Sequence, residues 1–125
     1  MAKELFLGDL KNMTERGIVD HICESYESKE EDVNKYYILI AYESVGRWGC
    51  DSTSWFLLRD KKSKELFENY GSHCSCYGFE GQWKPEPTNI DYLKSDKFSL
   101  PIGGYDTNES ENEKAVKKFI MNLKK

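Results

Sequence analysis

A run of seven apolar and aromatic residues, Tyr36-Tyr37-Ile38-Leu39-Ile40-Ala41-Tyr42, limits the fold more than any other feature of this chain. β-Branched and aromatic residues favour strands, and a strand without a polar side is covered on both faces of its sheet. The run therefore predicts a central strand over 36–42. Two more strands are predicted at 53–59 and 64–70, and the polar segment 60–63 between them has the length of a hairpin connection. Together the three segments predict an antiparallel meander.

A helix is predicted before the first of these strands. Apolar residues recur there at steps of mostly three and four, and Asn12 with Glu15 resembles a capping box. The pattern predicts a helix over 12–26. The charged segment Ser28–Asn34 that follows is expected to be a solvated connection.

A second helix is predicted at the C-terminal end of the chain. Ser110 and Glu113 form a capping box before an apolar stripe, which predicts a helix over 111–124, and residues 88–94 predict a cap followed by a short helix. We expect one α+β domain over residues 1–125. Its core is a small antiparallel sheet of three to four strands in a meander, packed by the N- and C-terminal helices.

Length and charge exclude several classes of protein. With 125 residues the chain has the size of one domain. Its net charge of −4 and pI of about 5.3 are opposite to the basic surface that nucleic-acid phosphates select, so direct nucleic-acid binding is disfavoured. The sequence has neither a signal-peptide pattern nor a run of about 20 apolar residues, so we expect a cytoplasmic protein outside the membrane. In such a reducing compartment its 4 cysteines are expected to be thiols or metal ligands.

Two unusual loops are the candidate binding site. Residues Gly46–Ser52 join the first two predicted strands, and Ser72–Trp83 follow the third, so that a meander brings both loops to the same end of the sheet. Binding residues concentrate in loops, and Trp, Tyr and Arg contribute large contact energies. Alternatively, the glycines only supply turn conformations and the tryptophans plug the end of the core. The predicted binding residues are Arg47, Trp48, His73, Tyr77, Phe79 and Trp83.

The same loops contain residues that could hold zinc. Cys74 and Cys76 would point the same way in an extended segment, and Cys50 could approach from the neighbouring loop. The spacing argues against zinc, because structural sites usually have two pairs of closely spaced ligands and only one such pair is present. We therefore expect no cofactor and keep zinc as an alternative. The candidate ligands are Cys50, His73, Cys74 and Cys76, with His21 or Cys23 as further choices.

Catalytic signatures are weak. A nucleophilic cysteine needs a nearby base or cation, but His73 and Cys74 are adjacent and would face opposite sides of an extended chain. A pairing of His21 with Cys74 or Cys76 would depend on the tertiary fold. The sequence also lacks a phosphate-binding glycine loop, a Gly-x-Ser-x-Gly elbow and a His-Glu-x-x-His pair. We therefore expect a protein that acts by binding.

The segment from Tyr42 to Leu93 resembles small proteins encoded by bacteriophages and mobile elements. The runs that carry the resemblance are Gly46-Arg47-Trp48-Gly49-Cys50-Asp51-Ser52, Ser72-His73-Cys74-Ser75-Cys76-Tyr77-Gly78-Phe79-Glu80 and Trp83-Lys84-Pro85-Glu86. The resemblance implies a phage-type protein that binds and modulates a host protein or protein complex, such as an anti-defence or anti-CRISPR inhibitor.

Other functions remain open from the residues themselves. One alternative is a small zinc-stabilised or thiol-dependent enzyme, and another is a sponge for a small signalling nucleotide. A homodimer formed through a strand edge also remains open.

Overall fold

The structure, a computed structural model, describes residues 5–8, 10, 13–45, 52–73, 82–95 and 109–122. These residues form five strands and four helices, so the architecture is α+β as the sequence predicts. None of these helices is long and apolar enough to cross a membrane. In chain order the elements are β1 (Leu5–Gly8), α1 (Glu15–Ser25), α2 (Glu30–Asn34), β2 (Tyr36–Val45), β3 (Ser52–Asp60), β4 (Leu66–His73), β5 (Glu86–Thr88), α3 (Ile90–Leu93) and α4 (Glu109–Met121).

The strands form one mixed sheet in the order β1-β2-β3-β4-β5. Strands β2, β3 and β4 are the predicted antiparallel meander. The prediction of three or four strands is wrong in number, because β1 adds in parallel to β2 and β5 adds antiparallel to β4. Both additions are short edge strands of four and three residues, too short to show a periodic pattern. Pro87 also argues against a strand in the sequence, but an edge strand tolerates proline because its outer side needs no hydrogen-bond donor.

Strand β2 is covered on both faces, as its composition predicts. The register with β3 shifts between Ile38 and Ile40, so that Ile38 lies opposite Leu58 and Ile40 lies opposite Leu57. In a regular strand Ile38 and Ile40 would share a face, because they are two positions apart; the bulge at Leu39 changes this. With it, Ile38 and Ile40 enter different apolar clusters and both are buried. The middle strand of the sheet is nevertheless β3, with β2 beside it.

Helices cover each face of the sheet. On the first, which we call the α4 face, α3 and α4 pack against β2, β3 and β4. On the other, which we call the α1 face, α1 and α2 pack against the same strands. The buried residues of the α4 face are Leu7, Ile40, Tyr42, Trp55, Leu57, Leu66, Ile90, Leu93, Val116 and Ile120. The buried apolar residues of the α1 face are Leu10, Ile18, Val19, Ile22, Tyr26, Val33, Tyr36, Ile38, Ala41, Phe56 and Leu58.

The helices differ from the predictions mainly at their ends. The N-cap of α1 is Thr14, whose hydroxyl accepts a hydrogen bond from the Gly17 N–H, and not the expected Asn12. Helix α4 begins at Glu109, two residues before the predicted start. The predicted cap of the short helix is confirmed, because the Asn89 side chain accepts a hydrogen bond from the Tyr92 N–H.

The segment predicted as a solvated connection contains helix α2. Its one large apolar side chain, Val33, is fully buried in the core of the α1 face. The surrounding residues are charged and exposed, so the helix is held by a single apolar anchor. A five-residue helix is marginal by itself in water, and tertiary packing explains why it forms here.

Candidate functional site

Three strand ends lie side by side at one end of the sheet, which we call the loop end. Val45 lies opposite Ser52, and Ser52 lies opposite His73. Since neighbouring strands are about 4.8 Å apart, the three residues span roughly 10 Å. The chain leaves Val45 and returns at Ser52, and it leaves again at His73. The prediction that both loops start at the same end of the sheet is confirmed.

The predicted site residues fall mostly within those loops. Of the binding residues, Trp83 is described fully and His73 as part of the β4 backbone. The other predicted binding and metal-ligating residues lie outside the described residues, and their roles stay predictions. They are Arg47, Trp48, Tyr77, Phe79, Cys50, Cys74 and Cys76.

Trp83 is partly buried against the α1 face. Its ring makes edge-on contacts with Tyr26, Phe56 and Tyr36, with centroid separations of 5.8, 5.8 and 6.4 Å. Its indole N–H donates to the backbone carbonyl of Asp32 over 3.4 Å. Part of this ring therefore plugs the end of the core, which is the alternative that the sequence left open. A docking role for the rest of the ring stays a prediction.

The residue after Trp83 fixes the returning chain to the sheet. The Lys84 N–H donates to Oδ1 of Asn69 on β4 over 2.7 Å, and β5 then pairs with the start of β4. The connection from β4 to β5 thus leaves the loop end at His73 and is anchored again beside Asn69. Both loops are held by paired or hydrogen-bonded backbone where they meet the described residues.

A groove lies between Trp83, the end of α1 and helix α2. Its volume is about 320 Å³, near the lower limit of small-molecule sites. Burial, together with the nearby carboxylates of Asp60 and Asp32, raises the pKa of Tyr36 in its wall. We call this site the Trp83 groove. It is lined by Tyr26, Glu27, Ser28, Lys29, Asp32, Lys35, Tyr36, Trp83 and Pro85.

A carboxylate is buried near the loop end. Glu43 on β2 is 6% exposed, and its Oε1 lies 2.9 Å from Nε2 of His21 on α1. The other ring nitrogen of His21 lies 3.5 Å from the hydroxyl of Ser25, one turn further along the helix. When the Nε2–H group donates a hydrogen bond to Glu43, the other nitrogen of the neutral ring, Nδ1, can accept one from Ser25.

This serine, histidine and carboxylate do not form a convincing nucleophilic site. The contact between Ser25 and His21 is at the outer limit of a hydrogen bond. Ser25 is also the last residue of α1, where unpaired backbone carbonyls are expected and N–H donors for an oxyanion are not. We interpret the pair of His21 and Glu43 as a polar tie between α1 and β2.

Ser54 and Asn69 are two further polar side chains that lie deep in the α1 face. The Tyr26 hydroxyl hydrogen-bonds the hydroxyl of Ser54 on β3, which is fully buried. Burial raises the pKa of Tyr26 well above its ordinary value. Asn69 is 2% exposed, and its side chain lies within hydrogen-bonding reach of the Tyr26 hydroxyl. The α1 face therefore contains a polar row that reaches from α1 to β4.

Sequence reasoning missed this row. The only sequence signal for the row is Glu43, a single carboxylate that directly follows the apolar run of strand β2. Ser54 follows two other polar residues and Asn69 follows Glu68, so both look like ordinary exposed strand positions. Because the burial of the α1 face comes from a helix distant in sequence, the pattern cannot show that they are inside.

Neither metal nor thiol chemistry finds support in the part of the chain that is described. No three His, Cys, Asp or Glu side chains there are grouped as metal ligands. Cys23 packs against the core of the α1 face, and burial raises the pKa of its thiol. A raised pKa lowers the fraction of reactive thiolate, so Cys23 behaves as a small apolar residue.

Comparison with known proteins gives no relative for this chain. No family model matches it, and no curated protein or solved structure is significantly similar to it.

Proposed function

We propose that the protein is a non-catalytic binding protein that docks on a host protein through the loop end of its sheet and modulates that protein's activity. The observation that carries this proposal is the strand register at Val45, Ser52 and His73, which starts both loops within roughly 10 Å. The two loops contain an arginine, two tryptophans and other aromatic residues. Such residues form most of the energetic hot spots in protein interfaces.

The polar groups of the α1 face support binding over catalysis. His21 and Glu43 satisfy each other, and the Tyr26 hydroxyl is paired with Ser54 inside the core. A general base or nucleophile must reach a substrate, and these groups are engaged in holding α1 on the sheet. The described groups thus stabilise a scaffold under the two loops.

Matched substitutions test the docking surface. Arg47→Ala and Trp48→Ala remove two predicted hot-spot side chains from the first loop. Lys118→Ala and Tyr92→Ala remove the same kinds of side chain from exposed positions of α4 and α3. The wild type and the four variants are used to capture partners from the host, and the captured protein is then purified and titrated by calorimetry.

We expect the two loop variants to bind the purified partner about 30-fold more weakly, which corresponds to roughly 2 kcal/mol for a hot spot. The two controls should bind within about 2-fold of the wild type. All variants should keep the wild-type unfolding midpoint. Equal binding by all five proteins would remove the loop end as the docking surface.

An infection assay tests whether the partner belongs to a host defence system, as the phage resemblance suggests. The wild type and the Arg47→Ala, Trp48→Ala double variant are expressed in a host with an active defence system, and phage plating is counted. The wild type should restore plating and the double variant should not. If neither protein restores plating, the anti-defence proposal is contradicted for that defence system. The docking proposal is then judged by the binding measurements alone.

The Trp83 groove favours a second candidate function, the sequestration of a small nucleotide. Its volume of about 320 Å³ fits a mononucleotide, and Lys29 and Lys35 in its wall could neutralise phosphate. A thermal-shift series of mononucleotides and cyclic nucleotides checks this, because a ligand that binds the native state raises the midpoint with concentration. The shift should disappear in the Lys29→Ala, Lys35→Ala double variant. A series without any shift contradicts this candidate.

A further inference from the structure

An exposed tyrosine with two ammonium groups over its ring lies at the opposite end of the sheet. Tyr37 on β2 is 45% exposed. The Nζ atoms of Lys61 and Lys64 lie 5.2 and 5.5 Å from the centre of its ring. Arg59 is its register partner on β3. We call these four residues the Tyr37 platform.

The hairpin that carries both lysines is held rigidly. The carboxylate of Asp60 accepts hydrogen bonds from the N–H groups of Lys62 and Ser63, each over 2.8 Å. These bonds lower the pKa of Asp60. The Lys61 N–H also donates to the carbonyl of Lys35 over 2.9 Å, which ties the turn to the start of β2. Asp60 therefore stays ionised, and its hydrogen bonds fix the turn that carries both lysines.

Lys64 adopts a backbone conformation that costs energy. Its φ is 67°, in the left-handed region where glycine or asparagine is favoured and a long side chain costs about 1 kcal/mol. Strain of this kind persists where the side chain is needed or where the surroundings force it. At Lys64 this conformation accompanies the backbone hydrogen bonds that close the hairpin, from the Lys64 N–H to the Asp60 carbonyl and from the Asp60 N–H to the Glu65 carbonyl, each over 2.9 Å.

The charges of the hairpin are unlike those of the chain as a whole. Residues 59–65 contain four basic and two acidic side chains, whereas the chain has a net charge of −4. Among the described ion pairs, none includes Lys61 or Lys64. Two like charges that converge on one ring, and that pair with no carboxylate of the described residues, attract an anion.

We propose that the Tyr37 platform is a second docking surface, which binds an acidic segment of a partner protein. An acidic segment fits better than a nucleic acid, because nucleic-acid binding uses a track of many basic groups and this surface offers two ammonium groups beside a net-negative chain, while the Arg59 guanidinium donates to the Lys64 carbonyl. This surface is separate from the loop end and does not depend on it.

Titration with a peptide of eight glutamates tests the proposal. Backbone amide resonances of the ¹⁵N-labelled protein are followed at low salt, and the Lys61→Ala, Lys64→Ala double variant is compared with a Lys114→Ala, Lys118→Ala control of equal net charge. The control lysines are exposed on α4. An octathymidylate is titrated in parallel.

We expect the peptide to shift the amides of residues 59–65, with binding about 10-fold weaker in the double variant and within about 2-fold of the wild type in the control. Binding should also weaken as salt is raised. Equal losses in both double variants, or shifts elsewhere only, would overturn the proposal. Tighter binding of the octathymidylate at the same amides would overturn the assignment of an acidic protein partner.

Discussion

The two faces of the sheet are built from different chemistry. The core of the α4 face consists entirely of apolar and aromatic residues. All three buried polar or charged side chains found in the described residues, Glu43, Ser54 and Asn69, belong to strand positions of the α1 face. Each of the three forms a hydrogen bond with an element that covers this face.

The difference shows how the two faces position their helices. On an apolar face many arrangements of a helix bury apolar surface equally well, because the hydrophobic effect has no preferred direction. A buried polar group penalises every arrangement that leaves it unpaired, so the α1 face accepts few positions of α1 and Trp83. Glu43 and Ser54, which make two of these bonds, lie two residues from the loop end on their strands.

The largest expected effect compares one tryptophan on each face. Trp55 on the α4 face is 1% exposed and donates its indole N–H to Glu68, so Trp55→Ala should lower the free energy of unfolding by about 4 kcal/mol. Trp83 is only partly buried, so Trp83→Ala should cost about 2 kcal/mol. Urea unfolding of both variants measures the difference.

Trp83→Phe is the matched control, because it keeps a ring and removes only the indole N–H and part of the ring area. It should lose less than half of the stability that Trp83→Ala loses. If Trp83→Ala costs as much as Trp55→Ala, Trp83 is a core residue and leaves little surface for docking. If it costs nothing, the contacts with Tyr26, Phe56 and Tyr36 do not hold in solution.

The meander was predictable from the sequence, and the edge strands were not. Strand β2 shows a run of apolar residues, and β3 and β4 are joined by a short polar turn, so local pattern and chain connectivity both indicate the pairing. The pairing of β1 with β2 spans about 35 residues and produces no local signal. Helix α2 was not predicted for a related reason. A single buried valine in a charged segment does not produce the repeating spacing of apolar residues that indicates a helix.

The sequence predicts at which end of the sheet the candidate site lies, but not which buried polar residues lie near it. The position of the two loops at one end of the sheet follows from the meander alone. The buried row of Glu43, Ser54 and Asn69 could not be predicted, because the groups that pair with it are the side chains of His21 and Tyr26, on α1 and at its C-cap, and the backbone N–H of Lys84. Pairing between distant segments decides whether a polar strand residue is inside or outside.

A smaller effect tests whether the α1 face accepts only partnered polar groups. Asn69→Asp keeps the oxygen that accepts the Lys84 N–H and replaces the buried Nδ2 with the second oxygen of a charged carboxylate. We expect a loss of about 3 kcal/mol at pH 7, against about 1 kcal/mol for Asn69→Leu. Burial raises the pKa of the new carboxyl, so stability should return as the pH falls and the group becomes neutral.

Asn122→Asp provides the control for this change, because Asn122 is exposed at the end of α4. It should lower the unfolding free energy by only about 1 kcal/mol, because Asp cannot donate the Asn122 Nδ2 hydrogen bond to the Lys118 carbonyl and places a negative charge at the C-terminus of α4, and this loss should not recover at pH 4.5. Unfolding in urea at pH 7 and pH 4.5 separates the charge from the loss of the amide. Full tolerance of Asn69→Asp at pH 7 would mean that water reaches this position, and the contrast between the two faces would fail there.

The smallest effect concerns the hydroxyl of Tyr26 at alkaline pH. Burial raises the pKa of Tyr26 in the folded protein above the ordinary value of about 10. A raised pKa means that the folded state keeps its proton while the unfolded state loses it, so this group stabilises fully below pH 10 and its contribution declines above. At pH 11 the decline should be about 1.4 kcal/mol.

Tyr26→Phe should begin less stable, because it lacks the bond to Ser54, but should lose correspondingly less between pH 9 and pH 11. Tyr70→Phe, at a residue that is 55% exposed, should lose as much as the wild type. Equal losses in wild type and Tyr26→Phe would show that the hydroxyl titrates in water, and that the polar row does not extend into the core.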